Sequence, residues 1–512
     1  MGKVKMNTQY LIPPEKKLTE KTADRNKDCI SLCVIWLAAT VFLLLSSFAT
    51  SPFYKIRYPG DAAMFLTIGK YWAEGTLPYV GLWDSKGPII FAINALGYWM
   101  LGSKQGVFVL QNLSLFAAML FVYKIFRKRS TALGSLVGSL AVLWILLTDY
   151  AGDGTEEFVL PLLCGSFYLM YCWTTKISGG ENAVHSPWAA FLYGLTFAFC
   201  FLTRLTNALG ICAGTLVIAV VLLVHKEFKN LIWNAAAFLA GAAVLIAPFA
   251  VYFQSKGILY DAFYGTFLYN LDYLGKSNTD FSGMQFGELW WLLAGYSGAV
   301  ALTFSGLMEI LFSRAKRTAG VLWTVVGLIT AAWLFHSYGF LHYGAIALPY
   351  FAVAFEELWN LKPTRRQLNW LMKAAACGFL LFAILGSVKT FRGLREDYSG
   401  WMAKTAVEMQ TDEKILEDIP EAEKDSFIAY NTESDLYLQT GIKPCYPYFT
   451  MQDWAASQST LLTEMLVDRY ANGTATWILV RGTPETTLIH DTLKNRYHPV
   501  RTEKDYTLYR IN

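Results

Sequence analysis

The sequence predicts a polytopic α-helical membrane protein with a small α/β domain at its carboxyl end. Of its 512 residues, 54% are hydrophobic and only 16% are charged, which is less charge than a soluble chain of this length carries. Apolar stretches of membrane-spanning length recur as far as residue 390. From about residue 395 onward, the composition changes to that of an ordinary charged domain.

About eleven apolar stretches have the length, roughly 17 to 25 residues, that crosses a bilayer as a helix. The predicted spans are 29–50, 106–126, 131–149, 157–175, 188–206, 208–225, 231–253, 287–312, 319–337, 343–360 and 370–390. The apolar run 89–102 is too short to cross comfortably. We expect a surface-lying helix there, within a first external loop of residues 51–105.

The basic residues predict the orientation of the chain. Every second connection is basic, as in Arg127-Lys128-Arg129, whereas the connections between them carry Asp, Glu and His. Basic connections stay on the cytoplasmic side of a membrane. We therefore expect a cytoplasmic tail (1–28), a transmembrane domain (29–394) and an extracytoplasmic domain (395–512).

In the predicted extracytoplasmic part, strand-like and helix-like apolar patterns alternate. This alternation predicts an α/β domain with its own hydrophobic core. Three short apolar runs predict strands, and two longer stretches have helical spacing with Gly or Pro at their ends. The predicted strands are 427–430, 477–480 and 506–509, and the predicted helices are 455–470 and 484–496.

Composition and motifs also limit the function. A formal net charge of +4 is too small to indicate a nucleic-acid partner. No Walker-type phosphate loop, dinucleotide fingerprint or zinc-protease motif is present. The eight cysteines give neither a disulfide framework nor a Cys-x-x-Cys metal pair. The sequence therefore supports no cofactor, and a divalent metal has no motif in its favour.

Asp61 is the first candidate functional residue. It follows Pro59-Gly60 and opens an amphipathic stretch that ends at Glu74, a pattern that predicts a helix lying in the membrane interface. An Asp at a helix start is commonly an N-cap, and local sequence favours this interpretation. A carboxylate in a partly dry cleft can also take a proton from an attacking hydroxyl. Both interpretations can hold together.

Two cations follow in the predicted outer part of the chain. Lys86, in Trp83-Asp84-Ser85-Lys86-Gly87-Pro88, fits a lipid phosphate and fits equally well a snorkelling anchor. Arg204 lies between two apolar runs, where an Arg almost always has a partner. A phosphate held by the guanidinium is favoured over a buried pair with an acidic residue.

An acidic turn and a His/Tyr segment complete the candidates. Asp149, Asp153, Glu156 and Glu157 could bind a metal or orient the hydroxyls of a sugar, but their spacing matches no ordered metal loop. Acidic residues near a helix start also suit its dipole. His342-Tyr343 is predicted on the same side, where Tyr and His are often simple interface residues.

Together, Asp61 ahead of an amphipathic helix, Leu77-Pro78-Tyr79, Lys86-Gly87-Pro88 and the acidic second loop resemble C-type (GT-C) glycosyltransferases. The resemblance is to the bacterial protein O-mannosyltransferase and aminoarabinose-transferase branch. It covers most of residues 30–390, although the specific motifs are confined to short patches. Gly87 stands where a Pro is usual in the family's Lys-Pro-Pro-like element, which leaves the backbone shape there less certain.

The resemblance implies roles for individual residues. Asp61 would be the catalytic base, Arg204 would face the lipid phosphate, and either Glu156 or Glu157 would be the second-loop acid. Many members carry a second acid beside the first-loop Asp. Ala62 occupies that place here, which argues against a metal bridging two adjacent carboxylates.

From the resemblance and the local chemistry, we expect inverting transfer of a sugar from a polyprenyl-phosphate donor to an acceptor hydroxyl at the outer face. The acceptor is a protein, a lipid or a cell-wall glycan, and membrane lipid is a further partner. The alternative is a transporter or flippase for a lipid-linked saccharide, for which broken helices and repeat symmetry are expected. The full candidate set is Asp61 as base, Lys86, Arg204, His342 and Tyr343 on the donor phosphate, and Asp84, Asp153, Glu156 and Glu157 on the substrate.

Overall fold

The computed structural model describes residues 14–54, 60–148, 152–276, 286–336 and 341–512. Up to residue 416, the regular structure is helical. Its helices are α1 (Pro14–Ser46), α2 (Asp61–Ala73), α3 (Pro88–Leu101), α4 (Lys104–Arg127), α5 (Ala132–Ile145), α6 (Thr155–Ser178), α7 (Pro187–Phe201), α8 (Leu209–Val224), α9 (Phe228–Ser255), α10 (Leu259–Phe263), α11 (Tyr269–Lys276), α12 (Phe286–Phe312), α13 (Arg317–His336), α14 (Leu348–Asn360) and α15 (Arg366–Leu416).

Eight helices within the described residues are long and apolar enough to cross a membrane. They are α1, α4, α6, α8, α9, α12, α13 and the first half of α15. The predicted spans at 131–149, 188–206 and 343–360 correspond to the shorter helices α5, α7 and α14. The predicted fold class, a polytopic helical membrane protein with a carboxyl-terminal α/β domain, is confirmed, and the count of eleven crossings stays a prediction.

Close backbone contacts let the helices pack without large side chains between them. Gly194 on α7 and Gly241 on α9 each face the backbone of the other helix. A Cβ atom at Gly194 would lie 1.9 Å from the Phe238 oxygen, and one at Gly241 would lie 2.0 Å from the Phe191 oxygen. Small residues at such crossings are how membrane helices associate, since lipid supplies no hydrophobic force between them.

The predicted cytoplasmic end of the bundle carries a set of ion pairs. Arg127, at the end of α4, contacts Asp28 of α1 at 2.8 Å. Arg129 contacts Glu357 of α14 at 3.4 Å, and Lys316 contacts both Glu357 and Glu309. These pairs join four parts of the chain at one end of the bundle, about 36 Å from the start of the 24-residue helix α4.

The loop predicted to be external, residues 51–105, contains two helices, α2 and α3, at the other end of the bundle. The apolar run 89–102 forms α3, a helix of 14 residues, about 21 Å long and so shorter than a bilayer core. Helix α2 differs from the expectation of an interface-lying helix, because most of its surface is buried. Its Thr67 hydroxyl donates to the Ser434 oxygen at 3.2 Å, so the carboxyl-terminal domain covers it.

The carboxyl-terminal domain is built on a mixed four-stranded sheet with the order β1-β2-β4-β3. The strands β1 and β2 are parallel, and β4 pairs antiparallel with β2 and β3. The elements are β1 (Phe427–Tyr430), α16 (Asp435–Thr440), α17 (Gln452–Gln458), α18 (Thr460–Asn472), β2 (Trp477–Arg481), α19 (His490–Arg496), β3 (Tyr497–Glu503) and β4 (Tyr506–Ile511).

The sequence located three of the four strands and missed β3. This strand lies at the edge of the sheet, is mostly exposed, and has a register shift between Pro499 and Arg501. Pro has no backbone N–H to donate, so within sheets it is tolerated at an edge strand such as this one. Residues 497–503 are mostly polar, so the sequence shows no apolar pattern that would predict a strand. The predicted helix 455–470 is split in the structure between α17 and α18.

Helix α15 connects the bundle to this domain without a break. It has 51 residues and crosses the predicted boundary between residues 394 and 395. The predicted domain boundaries stay predictions, and the structure adds that a continuous helix leads from one region to the other.

Candidate active site

Asp61 lies at the first position of α2, with Gly60 as the N-cap. No side chain caps this helix, so the Asp61 carboxylate does not act as the cap that local sequence favours. It instead lies 3.4 Å from the Lys86 ammonium, and 56% of the Asp61 side chain is exposed. The carboxylate is therefore held by a cation and remains accessible from outside.

The segment that carries Lys86 is fixed against the end of α7. The Gly87 N–H donates to the Thr203 oxygen and the Ile89 N–H donates to the Leu202 oxygen, both at 3.0 Å. A Cβ atom at Gly87 would lie 2.1 Å from the Leu202 carbonyl carbon. Glycine at this position therefore permits the close approach, and its N–H supplies a bond that the family's usual Pro could not make.

Other contacts fix the same segment from the opposite side. The Tyr79 hydroxyl donates to the Lys86 oxygen at 2.9 Å, and the Asn270 amide donates to the Ser85 oxygen at 2.7 Å. The Trp83 N–H donates to the Pro447 oxygen at 2.9 Å. Each partner comes from a different part of the chain, so the loop around Lys86 is held in place even though it has no regular secondary structure.

Arg204 lies immediately after these backbone contacts, at the start of the 3₁₀ helix Leu205–Ala208. Its guanidinium lies 3.4 Å from the Glu156 carboxylate and 3.5 Å from the centre of the Tyr343 ring, a cation–π arrangement. The His342 and Tyr343 rings are 4.5 Å apart. Of the two partners weighed from sequence, the structure shows the acid, Glu156, and 19% of the Arg204 side chain remains exposed. The phosphate stays a prediction.

The charges in this group shift the protonation of Asp61 and Lys86. Loss of surrounding water raises the pKa of Asp61, but the electrostatic effects of Lys86, His342 and Arg204 outweigh that rise and hold the pKa below its ordinary value. Desolvation lowers the pKa of Lys86, and the carboxylates of Asp61 and Asp84 more than offset this, so it lies above its ordinary value. Asp61 is ionised and Lys86 is protonated at neutral pH.

Asp84 lies behind this pair and is buried. Burial raises the pKa of its carboxyl group above the ordinary value, although Lys86 offsets part of the rise. Its Oδ2 atom has no hydrogen-bond partner among the residues that the structure describes. Asp84 thus contributes to the charge around Lys86 from inside the protein.

The structure separates Glu156 from Glu157, a choice that the sequence left open. Glu156 accepts from the Thr155 hydroxyl at 2.9 Å and pairs with Arg204. Glu157 turns the other way, accepts from the Gly152 N–H at 3.2 Å and from the Gln111 amide, and is buried. Glu156 is therefore the acid that contacts the cationic group.

The predicted residues thus divide into two sets. The structure brings together Asp61, Asp84, Lys86, Glu156, Arg204, His342 and Tyr343. Asp153 is fully buried and accepts a hydrogen bond from the Asn94 amide at 2.9 Å. Its bond, like those of Glu157, is therefore internal. Burial also raises the pKa of Asp153 well above the ordinary value. Asp149 lies outside the described residues. Within those residues, no group of three or more His, Cys, Asp or Glu side chains is placed to hold a metal ion.

Sequence reasoning missed the residues that position this group. Asn270 and Pro447 act through an amide and a backbone contact, and nothing in their local sequence distinguishes them from other polar or loop residues. Tyr79 was visible in the motif Leu77-Pro78-Tyr79, and its positive φ of 70° marks a tight backbone position that sequence alone does not reveal.

Residues 20–361 match the family model described as "Putative competence-induced protein Ccs4 N-terminal domain". The chain belongs to this family. The Ccs4 match includes all the site residues and ends before α15 and the carboxyl-terminal domain. No curated protein matches the chain.

Among solved structures, this Ccs4-family chain is similar to ArnT from Cupriavidus metallidurans, in a crystal structure bound to undecaprenyl phosphate and in one in the apo state. Each match has 11% identity, a TM-score of 0.54, and covers 94% of this chain and 97% of that chain. A third match, to the Archaeoglobus fulgidus oligosaccharyltransferase tethered with an acceptor peptide, has 10% identity, covers 95% and 74% of the two chains, and has a TM-score of 0.42.

At this level of identity the likeness to ArnT shows the fold. The expected C-type glycosyltransferase fold is therefore confirmed, and the chain is a multi-pass membrane protein of that fold. The narrower assignment to a mannosyltransferase or aminoarabinose-transferase branch stays a prediction.

The contact at Gly87 gives a testable prediction. We expect Gly87→Ala to destabilise the protein by about 1–3 kcal/mol, because the added methyl group overlaps the Leu202 backbone and must displace it. Thermal unfolding of the purified protein in detergent measures the change. The matched control is Gly378→Ala in α15, where a Cβ atom meets nothing within 4 Å, so no loss is expected. Equal melting temperatures for the Gly87→Ala variant and the wild type would contradict the close approach.

Proposed function

We propose that this Ccs4-family protein transfers a sugar from a polyprenyl-phosphate donor to an acceptor hydroxyl at the outer face of the plasma membrane. One observation carries the proposal: an accessible carboxylate, Asp61, and two cations, Lys86 and Arg204, lie in one group at the end of the helix bundle. A phosphate, a sugar and a nucleophile can be held together only where such groups converge.

The donor phosphate would bind between Lys86 and Arg204. The Lys86 ammonium is a compact point charge, and the planar guanidinium of Arg204 can hold two phosphate oxygens. Tyr343 stacks on Arg204, while His342 lies near Asp61 and contributes to lowering the pKa of that carboxyl group. The undecaprenyl phosphate bound by ArnT supports the choice of a polyprenyl phosphate as the lipid.

The reaction follows from this placement. Asp61 takes the proton from the acceptor hydroxyl, and the acceptor oxygen forms a bond to the anomeric carbon of the sugar. The bond between that carbon and the phosphate oxygen breaks, and attack from the opposite side inverts the configuration. The departing polyprenyl phosphate takes the electron pair, and Lys86 and Arg204 stabilise its added negative charge, which is the usual large electrostatic contribution.

Binding of the donor would also prepare the base. In the structure Asp61 has a lowered pKa because cations surround it, and a carboxylate with a low pKa accepts a proton poorly. A phosphate bound to Lys86 and Arg204 offsets their charge, so the pKa of Asp61 rises toward its ordinary value. The proposal therefore couples proton removal to the presence of the donor.

The substrate contacts are assigned to fewer residues than the sequence proposed. Glu156 and Asp84 flank the cations and are placed to contact a donor or to set the charge around it. Asp153 and Glu157 are given structural roles, because their bonds run into the protein.

The outer location of the site rests on the distribution of charge. The ion-paired, basic connections around Arg129 and Lys316 lie at the opposite end of the bundle, and basic connections stay cytoplasmic. The carboxyl terminus would then lie outside.

A fusion protein tests this orientation. We expect a periplasmic-type phosphatase that is active only after export to be active in intact cells when it is fused after Asn512. An inactive but expressed fusion would place the site on the cytoplasmic side.

Replacing the proposed base gives the direct test of activity. With a radiolabelled polyprenyl-phosphate sugar and purified protein, we expect Asp61→Asn to lower the rate of donor consumption by about 10²- to 10³-fold. The control is Asp261→Asn, a carboxylate of the outer connection that forms no ion pair among the described residues. Normal turnover by the Asp61→Asn variant would refute the assignment. Movement of the intact donor across vesicles without any bond cleavage would favour the transporter alternative.

A second prediction separates the structural and functional roles of Arg204. We expect Arg204→Gln to weaken donor binding and also to lower stability, because Glu156 is buried and loses its cation. The double variant Arg204→Gln with Glu156→Gln removes that unpaired charge, so it should recover the melting temperature while donor binding stays weak. Equilibrium binding of the labelled donor measures the affinity. Recovery of both properties would show that Arg204 is only a structural partner of Glu156.

A further inference from the structure

A second cleft lies on the far side of α2, away from Asp61. It has a volume of about 440 Å³ and opens at the surface among the end of α1, the helices α2 and α3, the start of α4, and α16 of the carboxyl-terminal domain. Its lining consists of Pro52, Tyr54, Lys70, Tyr98, Gly102, Ser103, Lys104, Gln105 and Leu438. Lys70 is nine residues beyond Asp61, or about 13 Å along the helix, so this cleft is separate from the candidate active site.

The lining of the cleft is basic. It contains two lysines and no carboxylate. Lys70 forms no ion pair with a described carboxylate, although Glu74 follows it by four residues, a spacing at which helix side chains meet. Lys70 instead lies 4.8 Å from the centre of the Tyr71 ring. Among the described residues, the Lys70 ammonium therefore lies beside an aromatic ring and has no carboxylate within ion-pair distance, and Lys70 lines the cleft.

Lys104 adds a second positive charge in an unfavourable position. It is buried, and its ammonium donates to the Tyr54 oxygen at 2.7 Å. It is also the first residue of α4, where the helix dipole is positive and disfavours a cation. No side chain caps this helix. Lys104 thus brings a second ammonium group to a lining that contains no carboxylate.

The border of the cleft is apolar. Gly102 and Ser103 in the lining follow directly after α3, whose last residues Trp99, Met100 and Leu101 are 77%, 42% and 54% exposed. Phe53, between the lining residues Pro52 and Tyr54, is 62% exposed. Exposed apolar side chains at a polar rim mark a surface that contacts membrane or a partner. Here they would lie beside the headgroup region, with the two ammonium groups beneath.

We propose that this cleft binds the headgroup of an anionic phospholipid. The lysines would hold the phosphate, and the apolar rim of α3 would contact the acyl chains. This site is independent of the sugar-transfer proposal, because none of its lining residues belongs to the group around Asp61. The bound lipid would hold the neighbouring end of α3 at the membrane surface.

The test uses the full-length protein in detergent and native mass spectrometry, with phosphatidylglycerol added stepwise. One lipid is expected to bind with an affinity that falls about fivefold in Lys70→Gln, the loss expected for one lysine at a lipid surface. Lys70→Arg keeps the charge and should bind as the wild type does. The matched control is Lys256→Gln, an exposed lysine that also lies near a tyrosine ring, at 6.0 Å, but outside the cleft; it should change nothing.

Phosphatidylcholine and inorganic phosphate distinguish the sources of the phosphate. Phosphatidylcholine carries a compensating positive charge, so its binding should not depend on Lys70. Inorganic phosphate at the same concentration should not displace phosphatidylglycerol, because it lacks acyl chains. Wild-type affinity in Lys70→Gln, an equal loss in Lys256→Gln, or equal competition by inorganic phosphate would each overturn the proposal. Melting temperatures of all variants show that the protein remains folded.

Discussion

The arrangement of this protein depends on one constraint: two cations, Lys86 and Arg204, are held near each other at the end of a helix bundle. The backbone hydrogen bonds from residues 87 and 89 to residues 203 and 202 enforce it. Like charges in a partly dry place repel strongly, because the effective dielectric is low. The fold compensates by giving each cation its own carboxylate, Asp61 for Lys86 and Glu156 for Arg204.

These two ion pairs are not equivalent, and the difference determines which of them an incoming anion displaces more easily. The Glu156 carboxylate is 4% exposed and Arg204 is stacked on a tyrosine, so this pair is a fixed element of the structure. The Asp61 carboxylate is 56% exposed, so its contact with Lys86 can be replaced by another anion with little cost in buried charge. An incoming phosphate would therefore displace Asp61 from Lys86 more easily than it would displace Glu156 from Arg204.

Much of this arrangement could be predicted from the sequence. The parts that could not be predicted share one cause. Ionisable residues between membrane-length apolar runs stand out, which is why Asp61, Lys86 and Arg204 could be selected. Their convergence depends on Gly87 meeting Leu202, a contact between residues more than a hundred positions apart that leaves no local pattern. Glu156 and Glu157 are adjacent on α6, so about 100° of helix rotation separates them, and only packing determines which one faces the cations.

The same reasoning explains why α2 was placed in the interface although it is buried. Its apolar stripe predicts one contact surface, but the second surface is covered by the carboxyl-terminal domain, through Tyr71, whose hydroxyl donates to the Ile442 oxygen at 3.0 Å. A single hydrophobic core joins α2 and α3 to the sheet of that domain. Sequence pattern shows that a helix has an apolar face and does not show how many partners will cover the rest.

This shared core gives the carboxyl-terminal domain a part in the candidate active site. The loop between α2 and α3 carries Asp84 and Lys86 without regular secondary structure, and ordering such a segment costs conformational entropy at every residue. Trp83 offsets that cost by donating to Pro447 and by packing on Tyr448, with ring centres 5.9 Å apart. Helix α15 carries the domain to this position as a continuous rod that extends 23 residues beyond its membrane-spanning part, Arg366–Gly393. The domain is thus attached through the rod, through α2 and through this loop, and the position of Lys86 depends on how the domain is held.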